Sequence, residues 1–327
     1  MIEPIDFVVD WVDDTDPVWR KKRSRYRADT AEESVRYRDW GLFRYWFRAV
    51  ESYSPWVRKV HLITDHQVPS WINRENPKLH LVNHDDYIDA KDLPTFNSNA
   101  IELPMHRIDN LSENFVFFND DFYVNGPVRP TDFFTKEGVP KDSGILSPEI
   151  PIDNSITHIT TNNVQVVNRY YSRSDVLKKI TKFVNPRYGK ENIKTIVSLL
   201  WKPIIGFDDL HIPISFTRQA FEEVWKCDSN ELDLTLAHKF RDDADLNIFL
   251  MRYWQLMKGD FVPRRTNFGK YYNLSDDNAD VIRDLKLGIH KLIVINDQSD
   301  ISNFRLQSKI MQDVFREKLP NKSSFEK

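Results

Sequence analysis

The chain has little of several things, and each shortage closes off a class of function. A single cysteine, Cys227, in 327 residues excludes an internal disulfide and any cysteine-built zinc cage, and it fits a reducing compartment. Only 9 glycines are present, and no Walker A loop or GxGxxG turn occurs, so a glycine-rich phosphate cradle is not expected. Charge is nearly balanced: 46 Lys and Arg stand against 49 Asp and Glu, a net charge of −3. Nucleic acid is therefore not an expected partner, and any polyanion must be held by a local site. Long charge-free apolar runs are missing too. The early "IDFVVDWVDD" is too short and too acidic for a signal peptide or a membrane span. The expected location is cytoplasmic, with peripheral association to the inner face of a membrane left open.

Aromatic residues are abundant, at 13% with 9 tryptophans. Most belong in a core, but aromatic faces also stack on pyranose rings. Apolar, β-branched runs at 5–12, 59–64, 78–83, 114–120 and 291–297 read as strands. Helical spacing appears at 40–54, at 98–108 with an interruption at Pro104, and at 172–184 and 192–201. It recurs in "TRQAFEEVWKC", in "DADLNIFLMRYWQLMKG", and in a final helix within 301–319. Strands alternating with helices argue for an α/β, Rossmann-like fold with a mainly parallel sheet and added helices. One catalytic domain, 1–327, is expected: an α/β half at 1–135, a less regular, partly helical insertion at 136–210, and 211–327 completing the site.

In such sheets chemistry gathers past the carboxyl ends of the strands. "DWVDDTDP" puts Asp10, Asp13, Asp14 and Asp16 at one such end, as either a solvated, capped turn or a loop facing a metal or diphosphate. "FVFFNDDFYV" drives a buried strand into Asn119, Asp120 and Asp121. Adjacent carboxylates repel and desolvate badly, so the pair suits a divalent cation, Mg²⁺ or Mn²⁺, or a catalytic base, unless the strand end simply emerges into water. His211 and His238 are candidates for proton transfer or for structural hydrogen bonds. Arg241, expected near a helix start, would hold a phosphate or pair with Asp242, Asp243 or Asp245. The "RKKRSRYR" run at 20–27 is expected to be either a solvated basic face or a contact to an anionic substrate, and spacing does not decide between them.

Four blocks then carry a resemblance. "IDFVVDWVDDTDPVW", the long pair "YRDWGLFRYWFRAVESYSPWVRKVHLITDHQVPSWI" and "LPTFNSNAIELPMHRIDNLSENFVFFNDDFYV", "HIPISFTRQAFEEVW" with "HKFRDDADLNIFLMRYWQLM", and "INDQSDISNFRLQSKIMQDVF" resemble, in order, the conserved blocks of the Stealth family of sugar-phosphate transferases. The chain departs from the family pattern in having Val9–Asp10 where many members have Tyr-Thr, Asp14 for a usual Gly, and Ile214 for a second histidine. The resemblance implies a GT-A-like nucleotide-sugar core. It also implies transfer of a hexose-1-phosphate from a nucleotide diphosphate sugar to a hydroxyl of a glycan or lipid-linked oligosaccharide. Carried over by position, His211, Arg241, Asp120 and Asp121 are the catalytic candidates. Asp120, Asp121, Asn296 and Asp297 are the metal candidates, and Asp10, Trp11, Asp13, Arg44, Asn97, Arg107 and Asn119 are the candidates for substrate contacts. An ordinary glycosyltransferase with the same donor, or a non-catalytic carbohydrate-binding protein, are the competing readings.

Overall fold

The computed structural model describes residues 3–27, 38–152, 155–298 and 300–327. Its central sheet has five strands in the order β3-β2-β1-β4-β7. They are β1 (Ile5–Asp10), β2 (Val60–Thr64), β3 (Leu79–Asn83), β4 (Asn114–Phe118) and β7 (Ile214–Thr217). The first four are mutually parallel, and β7 closes the edge antiparallel to β4. Every residue of β2 and β4 is buried, as expected for strands covered on both faces. A second sheet, ordered β5-β10-β9, joins β5 (Phe122–Val124), β9 (Gly269–Asn273) and β10 (Leu292–Asn296). Two-residue strands β6 (Lys141–Asp142) and β8 (Val262–Pro263) pair separately.

The principal helices are α1 (Pro17–Arg23), α2 (Phe43–Tyr53), α3 (Ser98–Glu102), α4 (Thr157–Tyr170), α5 (Arg218–Ala237), α6 (Phe249–Lys258), α7 (Ala279–Leu287) and α8 (Phe304–Lys318). Pro104 ends the 98–108 helix after one turn, and a short 3₁₀ turn, Met105–Arg107, succeeds it, because proline supplies no N–H for the ladder. The β1 strand stops at Asp10, two residues short of the sequence expectation. Two apolar clusters fill the faces of the main sheet. One joins Phe7, Trp46 and Phe118 to the second sheet and to Phe315 and Phe325 near the chain's end; the other joins Val8 and Phe117 to Val167, Phe207 and Leu250. Residues from 136–210 are thus packed into the same core as β1. The 14-residue helix α4 in that stretch has no counterpart among the helices expected from periodicity.

Strand register brings three acidic ends to one corner of the molecule. Val9 pairs with Phe118, so Asp10 and Asn119 leave adjacent parallel strands side by side. Val294 pairs with Phe122, and Ile295 N–H donates to the Asp121 carbonyl at 3.0 Å, bringing the end of β10 to the same corner.

Candidate active site

A cleft of about 510 Å³ opens at this corner, past the carboxyl ends of β1, β4 and β10. Asp10, Trp11, Asp13, Asn119, Asp120, Asp121, His211, Arg241, Asn296 and Asp297 all line it. Five stretches up to 287 residues apart in sequence therefore meet in one cavity.

The carboxylates at its floor are electrostatically crowded. Enclosure by protein, then the nearby Asp39 charge, pushes Asp120 up to about 6, although its side chain still meets cleft water. Burial, then repulsion from Asp120, raises Asp121 well above the carboxylate range. Asp10 is likewise raised by burial and by Glu102, Asp120 and Asp121. The Asn119 side-chain carbonyl is buried without a hydrogen-bond partner. Trp11 forms one wall, stacked on Phe43 with centroids 5.6 Å apart and planes 1° from parallel.

His211 begins the segment leading into β7 with φ at +47°, a left-handed conformation rarely taken by a residue with a side chain and one that clusters at functional sites. Phe122 and Tyr271 present their rings edge-on to the imidazole, each 5.2 Å away. Burial, with the Arg241 charge second, pushes His211 down to about 4, so the ring is neutral at pH 7. The residues before it are anchored by Arg252, which binds Asp209 and grips Asp142 at 2.8 Å.

Arg241 does not stand at a helix start, as its sequence suggested. It lies in a loop eight residues before α6, where its Nε donates to Ser98 Oγ at 3.0 Å. Buried Asp245 shapes that loop by accepting from Asn97, Asn99 and the Asp242 N–H and by meeting His238 Nδ1 at 2.7 Å. His238 is thus a structural partner of Asp245 and does not line the cleft.

Three of the expected substrate contacts do not reach the cleft. Arg44 is exposed and lies 5.8 Å over the Trp71 ring. Asn97 is buried, where it caps α3 through the Asn99 N–H and binds Asp245 at 2.8 Å. Arg107 covers the Trp225 ring at 4.2 Å. Each satisfies a local packing need. The acidic turn also divides: Asp16 caps α1 through the Val18 N–H, Asp14 pairs with Arg20, and Asp13 bonds Thr15. The basic run is not simply solvated. Arg23 is buried over Trp19 and Phe240, and Lys22 binds Asp65 at 2.6 Å. Asp297 is already engaged by Arg38, which reaches both carboxylate oxygens at 2.6 and 2.8 Å.

Several lining residues carried no mark in the sequence. Glu102, at the end of α3, is pushed up to about 7 by burial, against the pull of Arg241. Asp39, Arg38 and Tyr123 also line the cavity. A glutamate between the apolar Ile101 and Leu103 was the one available signal for Glu102.

Comparison with known proteins places this cleft in context. Residues 3–31 match the family model of Stealth protein conserved region 1, and residues 36–142 match that of conserved region 2. The capsular polysaccharide phosphotransferase WcwK of Streptococcus pneumoniae is 45% identical over 100% of this chain and 99% of its own length. The exopolysaccharide phosphotransferase cps2G of Lactiplantibacillus plantarum is 42% identical, covering 99% and 96% respectively. The receptor polysaccharide phosphotransferase WefC of Streptococcus oralis is 40% identical, covering 98% and 99%. Likeness at this level from end to end leaves no part of the fold outside the match, and the chain belongs to the Stealth family.

Proposed function

We propose that this enzyme transfers a hexose-1-phosphate, for example an N-acetylhexosamine-1-phosphate, from a nucleotide diphosphate sugar to a hydroxyl of a growing capsular or exopolysaccharide. The acceptor oxygen attacks the phosphorus that bears the sugar. The new O–P bond makes a phosphodiester, the diphosphate P–O bond breaks, and a nucleoside monophosphate leaves. The sugar C1–O bond stays intact, so anomeric configuration is retained.

One observation carries this reading: His211 and Arg241 share a single cleft with the Asp10, Asp120 and Asp121 corner. Phosphoryl transfer is largely a matter of positioning and charge neutralisation. Arg241 is placed to meet the equatorial phosphoryl oxygens, and Trp11 offers a stacking face to sugar or base. Neutral His211 takes the acceptor proton. Burial chiefly holds this ring low; a diphosphate would offset the second cause, the Arg241 charge, and so raise its basicity in the donor complex. The rise of Asp120 to about 6 favours a second assignment, in which that carboxylate is the base and His211 a phosphate contact.

Among the described residues nine carboxylates line the cleft against two arginines, a field that repels a diphosphate unless positive charge is added. Asp120 and Asp121, with the orphaned Asn119 carbonyl and neighbouring Asp10, have the donor chemistry for Mg²⁺ or Mn²⁺. Among the described residues no three Asp, Glu, His or Cys side chains form a ready cage, so these groups would share the cation with substrate phosphates. It would neutralise charge between protein and donor. Asn296 lines the same corner, whereas Asp297 would first have to leave Arg38.

Among the described residues no helix is long and apolar enough to cross a membrane. We place a lipid-linked acceptor and peripheral membrane docking in the same proposal. Ile193, Ile196, Leu200 and Trp201 are exposed together, and the stretch 186–202 carries Arg187, Lys190, Lys194 and Lys202 against Glu191 alone. An apolar face with a cationic flank suits an anionic lipid surface.

The test is incubation with a panel of nucleotide sugars, Mg²⁺ and glycan acceptors, with identification of the released nucleotide. A monophosphate is expected. Release of a diphosphate would assign ordinary glycosyl transfer instead, and binding without turnover would leave only a carbohydrate-binding protein.

A further inference from the structure

Away from the cleft, a second concavity of about 290 Å³ is lined by Lys141, Arg187, Arg264, Arg265 and Lys291, with Asp132 the one carboxylate among them. It opens where β9 and β10 begin: Phe268 precedes the first residue of β9 and Lys291 the first of β10. The catalytic cleft lies beyond the other end of β10, so a five-residue strand, about 17 Å at the usual rise, separates them.

Among the described residues none of these five side chains has a salt-bridge partner. Asp132 accepts the Arg129 N–H through Oδ2 at 2.7 Å, and its charge reaches Arg264 only through space. The nearby Asp142 carboxylate is held by Arg252 at 2.8 and 3.1 Å. Arg264 is the decisive residue. It is only 8% exposed, and its Nη1 is buried with no hydrogen-bond partner. Its guanidinium rests 4.8 Å over the Phe268 ring, which orients the group without neutralising it. Burial, against the pull of Asp142 and Asp132 and with the Arg252 charge beside it, holds Arg264 below the usual guanidinium range.

An unpaired buried cation is costly to maintain, and four more gathered around it in a chain of net charge −3 deepen the cost. A phosphate group would remove it, because a planar guanidinium offers paired donors to phosphate oxygens and lysines add point charge. We propose that this pocket is a second anion site, selective for a phosphate ester and separate from the catalytic cleft. The chemistry fits either a phosphodiester already built into the polymer or the phosphate of a lipid carrier. The first source rests on the function proposed above; the existence of the site does not.

The test is calorimetric titration of the intact protein and of R265Q/K291Q. These positions are exposed and half-buried, and they stand apart from the catalytic residues. The probes are inorganic phosphate, a phosphodiester-linked oligosaccharide with its phosphate-free counterpart, and phosphatidylglycerol vesicles. Phosphate binding that weakens at least about tenfold in the double variant is expected, with turnover on a short acceptor unchanged. Preference for the phosphodiester oligosaccharide over its phosphate-free counterpart assigns the glycan as source, and vesicle binding that weakens in R265Q/K291Q assigns the lipid. The single variant R264K, which keeps the charge but loses the fork, should bind phosphate more weakly while melting near the parent. Equal phosphate affinity in parent and R265Q/K291Q would overturn the site, as would no phosphate binding outside the catalytic cleft.

Discussion

At Asp121 the demands of folding and of function oppose each other. Its carboxyl is raised by burial and by Asp120, so the folded state favours the protonated form. Between the unfolded carboxylate value, about 4, and the raised folded value, the native state binds more protons, and stability falls as pH rises. Asp121→Asn removes that penalty. Its melting temperature is expected to exceed the parent's by a few degrees at pH 8 and to match it near pH 4, as read by calorimetry at both pH values. The same change should lower phosphotransfer by on the order of 10²–10³. His211→Ala is expected to cost a comparable factor, checked by single-turnover release of nucleotide. Full turnover in that variant would remove His211 from the mechanism, and the pH profile of Asp120→Asn would then show whether a carboxylate is the base. Asp120 and Asp121 stood out in the sequence as an acidic pair at a strand end, whereas His211 was picked out by the resemblance of the block it heads. Glu102 was not, because its significance depends on the distant Arg241 beside it.

The elements show how such residues are held. Asp6, within β1, is fully buried, where desolvation alone would raise it. The His61 and Arg58 hydrogen bonds, at 3.0 and 2.8 Å, outweigh that and bring it below the usual range. The stability it contributes is therefore present above the unfolded carboxylate value and is lost as pH falls below it. Asp6→Asn is expected to flatten the acid limb of a stability-against-pH curve measured by urea unfolding. Asp245 plays the parallel part for the Arg241 loop. Asp245→Ala leaves Asn97, Asn99 and His238 without their shared acceptor, at a cost on the order of 3 kcal/mol. Donor affinity should fall with it, and an unfolding titration beside a donor-binding isotherm would check both. Strand positions followed closely from periodicity at β2, β3, β4 and β10, whereas the helix expected over 172–184 is two short helices, Arg173–Leu177 and Ile180–Phe183. The second sheet was harder to see: β5 has three residues and β9 alternates weakly, and both exist because β10 lies between them.

For the whole molecule, the surface face at Ile193, Leu200 and Trp201 predicts recovery of the protein with phosphatidylglycerol vesicles but not with purely zwitterionic ones. Leu200→Ser with Trp201→Ser should abolish that recovery without changing turnover on a soluble acceptor, and a dimer that buries this face in sedimentation analysis would count against it. Sequence alone determined the alternation that makes a parallel sheet and the acidic strand ends, because periodicity and strand-terminal chemistry are local properties. Tertiary structure decided which of those acids share a cavity and which are tied up, as Asp297 is by Arg38 and Asp16 is by α1. It also decided that five cations from four segments meet at Arg264 with no salt-bridge partner among the described residues. Charge pairing acts through space, over a few ångströms, between groups that the chain keeps far apart.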